Sequence, residues 1–156
     1  MEQTTLWFSI LLGAPLIGFL INGLNFRSHN AKLSGTIATL ASTIAFICAV
    51  LLVRQLLTLP EDARLIRAEF FKWINIADLS ASAAFMVDQI SAIMVLVVTG
   101  VGSLIHLFSI GYMAHDERPA KYFSYLNFFL FNMLLLILGE NLLVMFVGWE
   151  GVGLCS

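Results

Sequence analysis

From Leu33 to Val53 the chain carries no charged side chain, and serine and threonine hydroxyls are almost its only polar groups. About 20 such residues, wound as a helix, cross the ~30 Å hydrocarbon layer of a bilayer. Lipid offers the backbone no hydrogen bonds, so a spanning segment of this kind must pair its N–H and C=O groups internally, as a helix does. Apolar length marks the companions of this stretch. The expected spans cover about residues 6–25, 33–57, 88–112 and 122–138, with an incomplete fifth at 141–156. Pro15 is expected to bend the first. The fold class is therefore all-α: a polytopic transmembrane helical protein with four full spans plus part of a fifth. Composition agrees, since 12% of residues are charged against ~25% in soluble domains. A formal charge of -2 gives no footing for a nucleic-acid partner, and the composition points to the lipid bilayer instead.

One polar connection interrupts the apolar pattern, between the second and third spans. Residues 58–87 mix acidic and basic side chains, and two stretches rich in aromatic and branched residues flank Asp78-Leu-Ser80. This pattern reads as a short extramembrane β-hairpin over about residues 69–87, with an irregular amphipathic loop as the alternative. Arg27, Lys32, Arg118 and Lys121 fall in two short connections on the opposite side, where positive charge weighs most in setting orientation. Those connections are expected to face the cytoplasm, and the hairpin the outside. The N-terminus lacks the basic region of a cleaved signal, so the first span is expected to be retained. Cys48 and Cys155 lie far apart in apolar stretches with no CxxC or His/Cys cluster. They read as packing residues, and no metal, haem or cluster site is expected.

The stretch 141–156 has 16 residues, or ~24 Å of helix, which is short of a full crossing. The chain is thus expected to be the N-terminal piece of a longer protein. Glu150 stands nine residues beyond Asn141, ~13 Å along the helix and close to the bilayer midplane. A carboxylate at that depth costs at least ~2.5 kcal/mol, and such residues generally handle protons or ions. The alternative is a fixed structural pair with a Lys or Arg. Gly148, Gly151 and Gly153 loosen the helix around it and let another helix approach. Lys32, Lys72 and Lys121 all lie at span ends or in the hairpin, so a mid-depth partner must come from elsewhere. Glu140, at the mouth of the same helix, reads as a solvated cap.

Two further residues qualify for proton handling. His106 sits near the expected cytoplasmic end of the third span, where its ordinary pKa suits proton capture; a hydrogen-bonded packing histidine is the alternative. Asp88 sits at the outer end of that span as a proton exit or, structurally, as an N-cap with Ser91 three residues on. Asn127 and Asn132 read as bonds between helices.

The run Gly148-Trp-Glu-Gly-Val-Gly-Leu-Cys-Ser156, with Glu140-Asn-Leu-Leu-Val-Met-Phe146 before it, resembles the L-type subunit of respiratory complex I, the largest antiporter-like subunit of proton-translocating NADH:quinone oxidoreductase. Val87-Asp-Gln-Ile-Ser91, Leu104-Ile-His-Leu-Phe-Ser-Ile-Gly-Tyr-Met113 and Pro15-Leu-Ile-Gly18 look like the same family, so the resemblance runs the length of the chain. The Trp-Glu pair is shared with Mrp-type sodium/proton antiporters; Gly-Val-Gly-Leu-Cys-Ser is more specific to the L type. The resemblance implies redox-coupled proton translocation, with Glu150 as the family's fifth-helix glutamate that pairs with a lysine on a seventh helix beyond Ser156. It implies no cofactor in this chain; flavin, iron–sulfur clusters and quinone would belong to other subunits. It implies other membrane subunits of the complex as partners, a neighbouring antiporter-like subunit especially, and a place in a bacterial inner membrane or, alternatively, a mitochondrial one. Part of a Mrp-type sodium/proton antiporter, working without redox chemistry, or a structural remnant of either, is the competing reading.

Overall fold

The computed structural model describes residues 2–76 and 79–156. Five α-helices and one hairpin follow in order: α1 Glu2–Leu24, α2 Ala31–Leu57, a single 3-10 turn Glu61–Ala63, β1 Ile66–Ile76, β2 Leu79–Val87, α3 Gln89–Tyr112, α4 Pro119–Leu138 and α5 Leu142–Cys155. Helices α1 to α4 are each long and apolar enough to cross a membrane. With 27 residues in α2 and 20 in α4, their lengths run from ~40 to ~30 Å. Helix α1 continues through Pro15. The expected class, a polytopic helical bundle with one hairpin between the second and third spans, is the one observed.

Small residues set how closely these helices pack. The buried stripe of α2 includes Ala31, Ser34, Gly35, Ala38, Ala41, Ser42, Ala45 and Ala49 before it ends in Leu52 and Leu56. Such a stripe brings backbones together, which is how helices gain van der Waals contact in lipid, where apolar area supplies no driving force. Most of the larger apolar core side chains gather at the end of the bundle nearest the hairpin, with Phe123 buried in a smaller cluster at the other end. Phe8 and Leu11 of α1, Leu52 and Leu56 of α2, Val95 of α3, and Leu134 and Leu138 of α4 are all essentially inaccessible at the hairpin end.

The hairpin closes that core. Strands β1 and β2 pair antiparallel from Ile66 opposite Val87 to Ile76 opposite Leu79, with irregularities after Glu69 and Lys72. Strand side chains alternate between faces, and Ile66, Ala68, Phe85 and Val87 point into the bundle core. Phe85 stacks on Phe8 with ring centres 6.5 Å apart and takes the edge of Phe70 at 5.4 Å. The paired region begins at Ile66 rather than near residue 69, because Ile66 and Ala68 already continue the inward alternation. Of the expected turn Asp78-Leu-Ser80, Leu79 and Ser80 are already paired in β2, while Asp78 lies outside the described residues.

Helix α3 satisfies its hydroxyls largely within itself. Thr99 Oγ1 donates to Val95 O at 2.6 Å, Ser103 Oγ to Thr99 O at 2.7 Å, and Ser109 Oγ to Ile105 O at 2.7 Å, each four residues back. Helix α4 looks outward for some of its bonds: Ser124 Oγ donates to Phe19 O of α1 at 3.1 Å.

Candidate site around Glu150

Helix α5 starts at Asn141, whose Oδ1 accepts from Val144 N at 3.0 Å, the usual N-cap bond. The same side chain reaches the hairpin, where Asn141 Nδ2 donates to Ser82 O at 2.6 Å. Glu140 N donates to Ala84 O at 3.0 Å, and Gly139 bridges Phe85. Glu140 Oε2 accepts from Arg67 Nε of β1 at 2.7 Å. The solvated cap expected of Glu140 is thus replaced by an ion pair across 73 positions of sequence, and the capping role falls to Asn141. A partly exposed pair of this kind contributes ~0.2–1 kcal/mol. Replacing Arg67 by Gln is therefore expected to raise hydrogen exchange at Glu140 N–H by a factor of ~5 or less, because the backbone ties to β2 persist. A rise of orders of magnitude would show that the ion pair carries the docking.

Beyond its cap, α5 lies on α4 through Val144, Gly148 and Gly151. A Cβ on Gly148 would stand 2.6 Å from Leu136 N and 2.9 Å from Asn132 O, so the two backbones touch. A Cβ on Gly151 would overlap the Asn132 side chain, whose Nδ2 donates to Phe128 O at 2.8 Å. The third glycine, Gly153, meets nothing within 4 Å. At ~100° per residue, Glu150 falls ~130° around the helix from this seam. It shares an uncovered face with Leu143, Phe146 and Trp149, all exposed. Among the described residues no cation lies within 4 Å of its carboxylate. The three lysines are exposed at the start of α2, in β1 and at the start of α4.

The other two candidates stand apart from it. Asp88 caps α3 in a reciprocal box: its Oδ1 accepts from Ser91 N at 2.7 Å, and its own N–H donates to Ser91 Oγ at 2.8 Å. The Ser91 N–H, followed by the Ser91 hydroxyl, holds the carboxyl below the ordinary carboxylate range. A depressed pKa means the cap stabilises the fold above the unfolded value of ~3.9 and is lost as pH falls through the lower folded value. Acidification is therefore expected to loosen the start of α3 only below pH ~4; Asp88→Asn should flatten that dependence in an amide-exchange pH series, and an unchanged profile would refute it.

His106 is 1% exposed, and its Nδ1 pairs with Gly102 O at 2.7 Å. A carbonyl only accepts, so Nδ1 carries a proton, and in the neutral ring Nε2 is left as an acceptor. His106 Nε2 and both polar atoms of the Asn127 amide are buried with no hydrogen bond of ordinary length among the described residues. The Asn127 amide faces the His106 ring across the α3–α4 contact without closing that bond. The expected bond between helices is therefore not closed at Asn127, whereas Asn132 donates within its own helix and also packs across to α5, against Gly151 and Cys155. Helices α3 and α5 both start at the hairpin. His106 lies ~26 Å along its helix and Glu150 ~12 Å along its own. The structure spaces Asp88, Glu150 and His106 at successive depths and does not gather them.

The geometry of this segment meets a known sequence family. A model described as "NADH-Ubiquinone oxidoreductase (complex I), chain 5 N-terminus" matches residues 73–123, the outer hairpin through the first turn of α4. NADH-quinone oxidoreductase subunit L of Rhodobacter capsulatus is 41% identical over 155 residues, covering 95% of this chain and 21% of the relative. The chain is homologous to the L-type subunit of complex I. Subunit L of Mycobacterium tuberculosis is 40% identical over 149 residues, covering 94% of this chain and 23% of the relative. NADH-ubiquinone oxidoreductase chain 5 of Hypocrea jecorina is 33% identical over 154 residues, covering 97% and 21%. The chain spans about a fifth of the length of these relatives.

Proposed function

We propose that this chain forms the N-terminal part of the antiporter-like transmembrane domain of an NADH:quinone oxidoreductase, and that it takes part in redox-coupled proton translocation. The observation that carries this is the homology along nearly the whole chain to L-type subunits, joined to a mid-depth carboxylate on a face that α1 to α4 leave open. Glu150 is the main proton-handling group. Its charge changes as a cation from outside residues 1–156 approaches or withdraws. His106, with its unpartnered Nε2 near the opposite end of the bundle, is the second candidate. Asp88 is held ionised by its capping box and serves α3 before it serves any proton exit.

Flavin, clusters and quinone belong to other subunits in this reading, and the partners are the other membrane subunits, a neighbouring antiporter-like one first. The setting is a bacterial inner membrane with the hairpin on the outer face. The names of the relatives favour a redox enzyme over a Mrp-type antiporter. The test is Glu150→Gln in the full-length subunit within the assembled complex, with the proton-to-electron ratio as readout. An unchanged ratio at normal assembly would sink the assignment.

A further inference from the structure

A groove of about 600 Å³ runs between α1 and α4 and reaches Leu154, one helical turn beyond Glu150 on the same face of α5. Its volume falls in the ~300–1,000 Å³ range of ligand pockets. Its floor is apolar: Phe19 of α1 and Phe128 of α4 stack with ring centres 4.5 Å apart, Leu20 forms one wall, and Leu154 of α5 reaches its side. Its mouth is cationic. Arg118 precedes the first turn of α4 and Lys121 sits within that turn, and both line the opening. Neither has a carboxylate within 4 Å of its charged group among the described residues. Of the neighbouring acids, Asp116 accepts from Arg118 N at 2.7 Å, and neither it nor Glu117 forms an ion pair with either cation among the described residues. Lys121 Nζ stands 5.8 Å over the Tyr125 ring, which leaves its hydrogen-bonding directions open.

Two cations outside any ion pair among the described residues, set above an apolar trough on helices long enough to span a bilayer, describe an amphiphile with an anionic head. A soluble anion would use the mouth and leave the trough empty; a neutral lipid would fill the trough and leave both cations unpaired. We infer that the α1–α4 groove holds an anionic phospholipid, its phosphate between Arg118 and Lys121 and an acyl chain along Phe19, Leu20 and Phe128. The mouth lies on the side of the two short basic connections, and anionic lipid attracts such clusters with ~1 kcal/mol for each cation.

The test uses the full-length subunit in its complex, reconstituted in phosphatidylcholine vesicles that contain a photoactivatable phosphatidylglycerol or, in a second arm, a photoactivatable phosphatidylcholine. The expected result is preferential phosphatidylglycerol labelling of peptides covering residues 19–26 and 118–128. The double variant Arg118→Gln, Lys121→Gln is expected to lower that labelling about 30-fold, which is two cations at ~1 kcal/mol each converted at ~1.4 kcal/mol per factor of ten. Labelling by phosphatidylcholine should not change. Equal labelling by the two probes in the unaltered protein would overturn the inference, as would labelling untouched by the double variant. Absence of labelling by either probe would overturn it too, since the groove would then be filled by the rest of the protein. If the double variant fails to assemble, the ratio of the two probes on the unaltered protein still decides the matter.

Discussion

Changing Gly148 to alanine is expected to cost ~3 kcal/mol or more and to deplete the assembled full-length protein. The added Cβ would stand 2.6 Å from Leu136 N and 2.9 Å from Asn132 O. Both atoms are backbone held inside α4, so no rotamer change can relieve the clash. Only displacement of one helix from the other can, and overpacking of a tight seam typically costs ~1–3 kcal/mol where side chains can yield. At Gly151 the new methyl group overlaps the Asn132 side chain instead. That amide can swing away once its 2.8 Å bond to Phe128 O is given up, so Gly151→Ala should cost roughly the ~1 kcal/mol of a lost hydrogen bond. Gly153 has open space, and alanine there should be neutral or stabilising by ~0.5–1 kcal/mol through helix propensity alone. Thermal inactivation of the three variants in detergent should rank Gly148 worst and Gly153 mildest. A reversed order would refute the α4–α5 seam.

Glu150→Gln is expected to lower the proton-to-electron ratio while leaving the melting temperature of the assembled complex almost untouched. Two roles for this acid make opposite demands on stability. A carboxylate locked in a buried structural ion pair leaves an uncompensated charge when removed, at a cost of ~3–5 kcal/mol. An acid that exchanges its proton during turnover spends part of each cycle neutral, a state that glutamine imitates in shape and polarity. Its replacement should shift stability by less than ~1 kcal/mol, within the range of an ordinary tolerated substitution. The open face around Glu150, with no cation within 4 Å among the described residues, favours the second role. Parallel loss of stability and pumping would assign Glu150 to scaffolding.

The parts of this molecule that are local in sequence were legible before the fold. Span lengths follow from uninterrupted apolar runs such as Leu33–Val53, and the Asp88 cap follows from a serine three positions on. The hairpin announced itself by composition, although its true start at Ile66 depends on which residues meet Phe8 and Leu52. What was hidden is long-range. Nothing near Glu140 signals Arg67, and nothing in the Gly148, Gly151 and Gly153 series says that one meets backbone, one a side chain and one empty space. The unpartnered Nε2 of His106 was equally invisible, because it depends on the tautomer that Gly102 O selects. For Glu150, depth could be read from helix rise, whereas direction required knowing which face α4 covers.

The hydroxyl ladder of α3 bears on how the protein is made. Thr99, Ser103 and Ser109 each bond a carbonyl of their own helix, so their hydroxyls are satisfied without a neighbour, although Ser109 also meets the Tyr122 hydroxyl of α4 at 3.2 Å. The three hydroxyls therefore add little cost to a newly synthesised α3 entering lipid before α4 has been translated, which leaves His106 as the polar group of α3 that packs against α4. Helix α4, whose Ser124 donates to Phe19 O and whose Asn127 is wholly enclosed, gains by waiting until α1 is beside it. The order of the chain, α1 first and α4 after, supplies that neighbour in time.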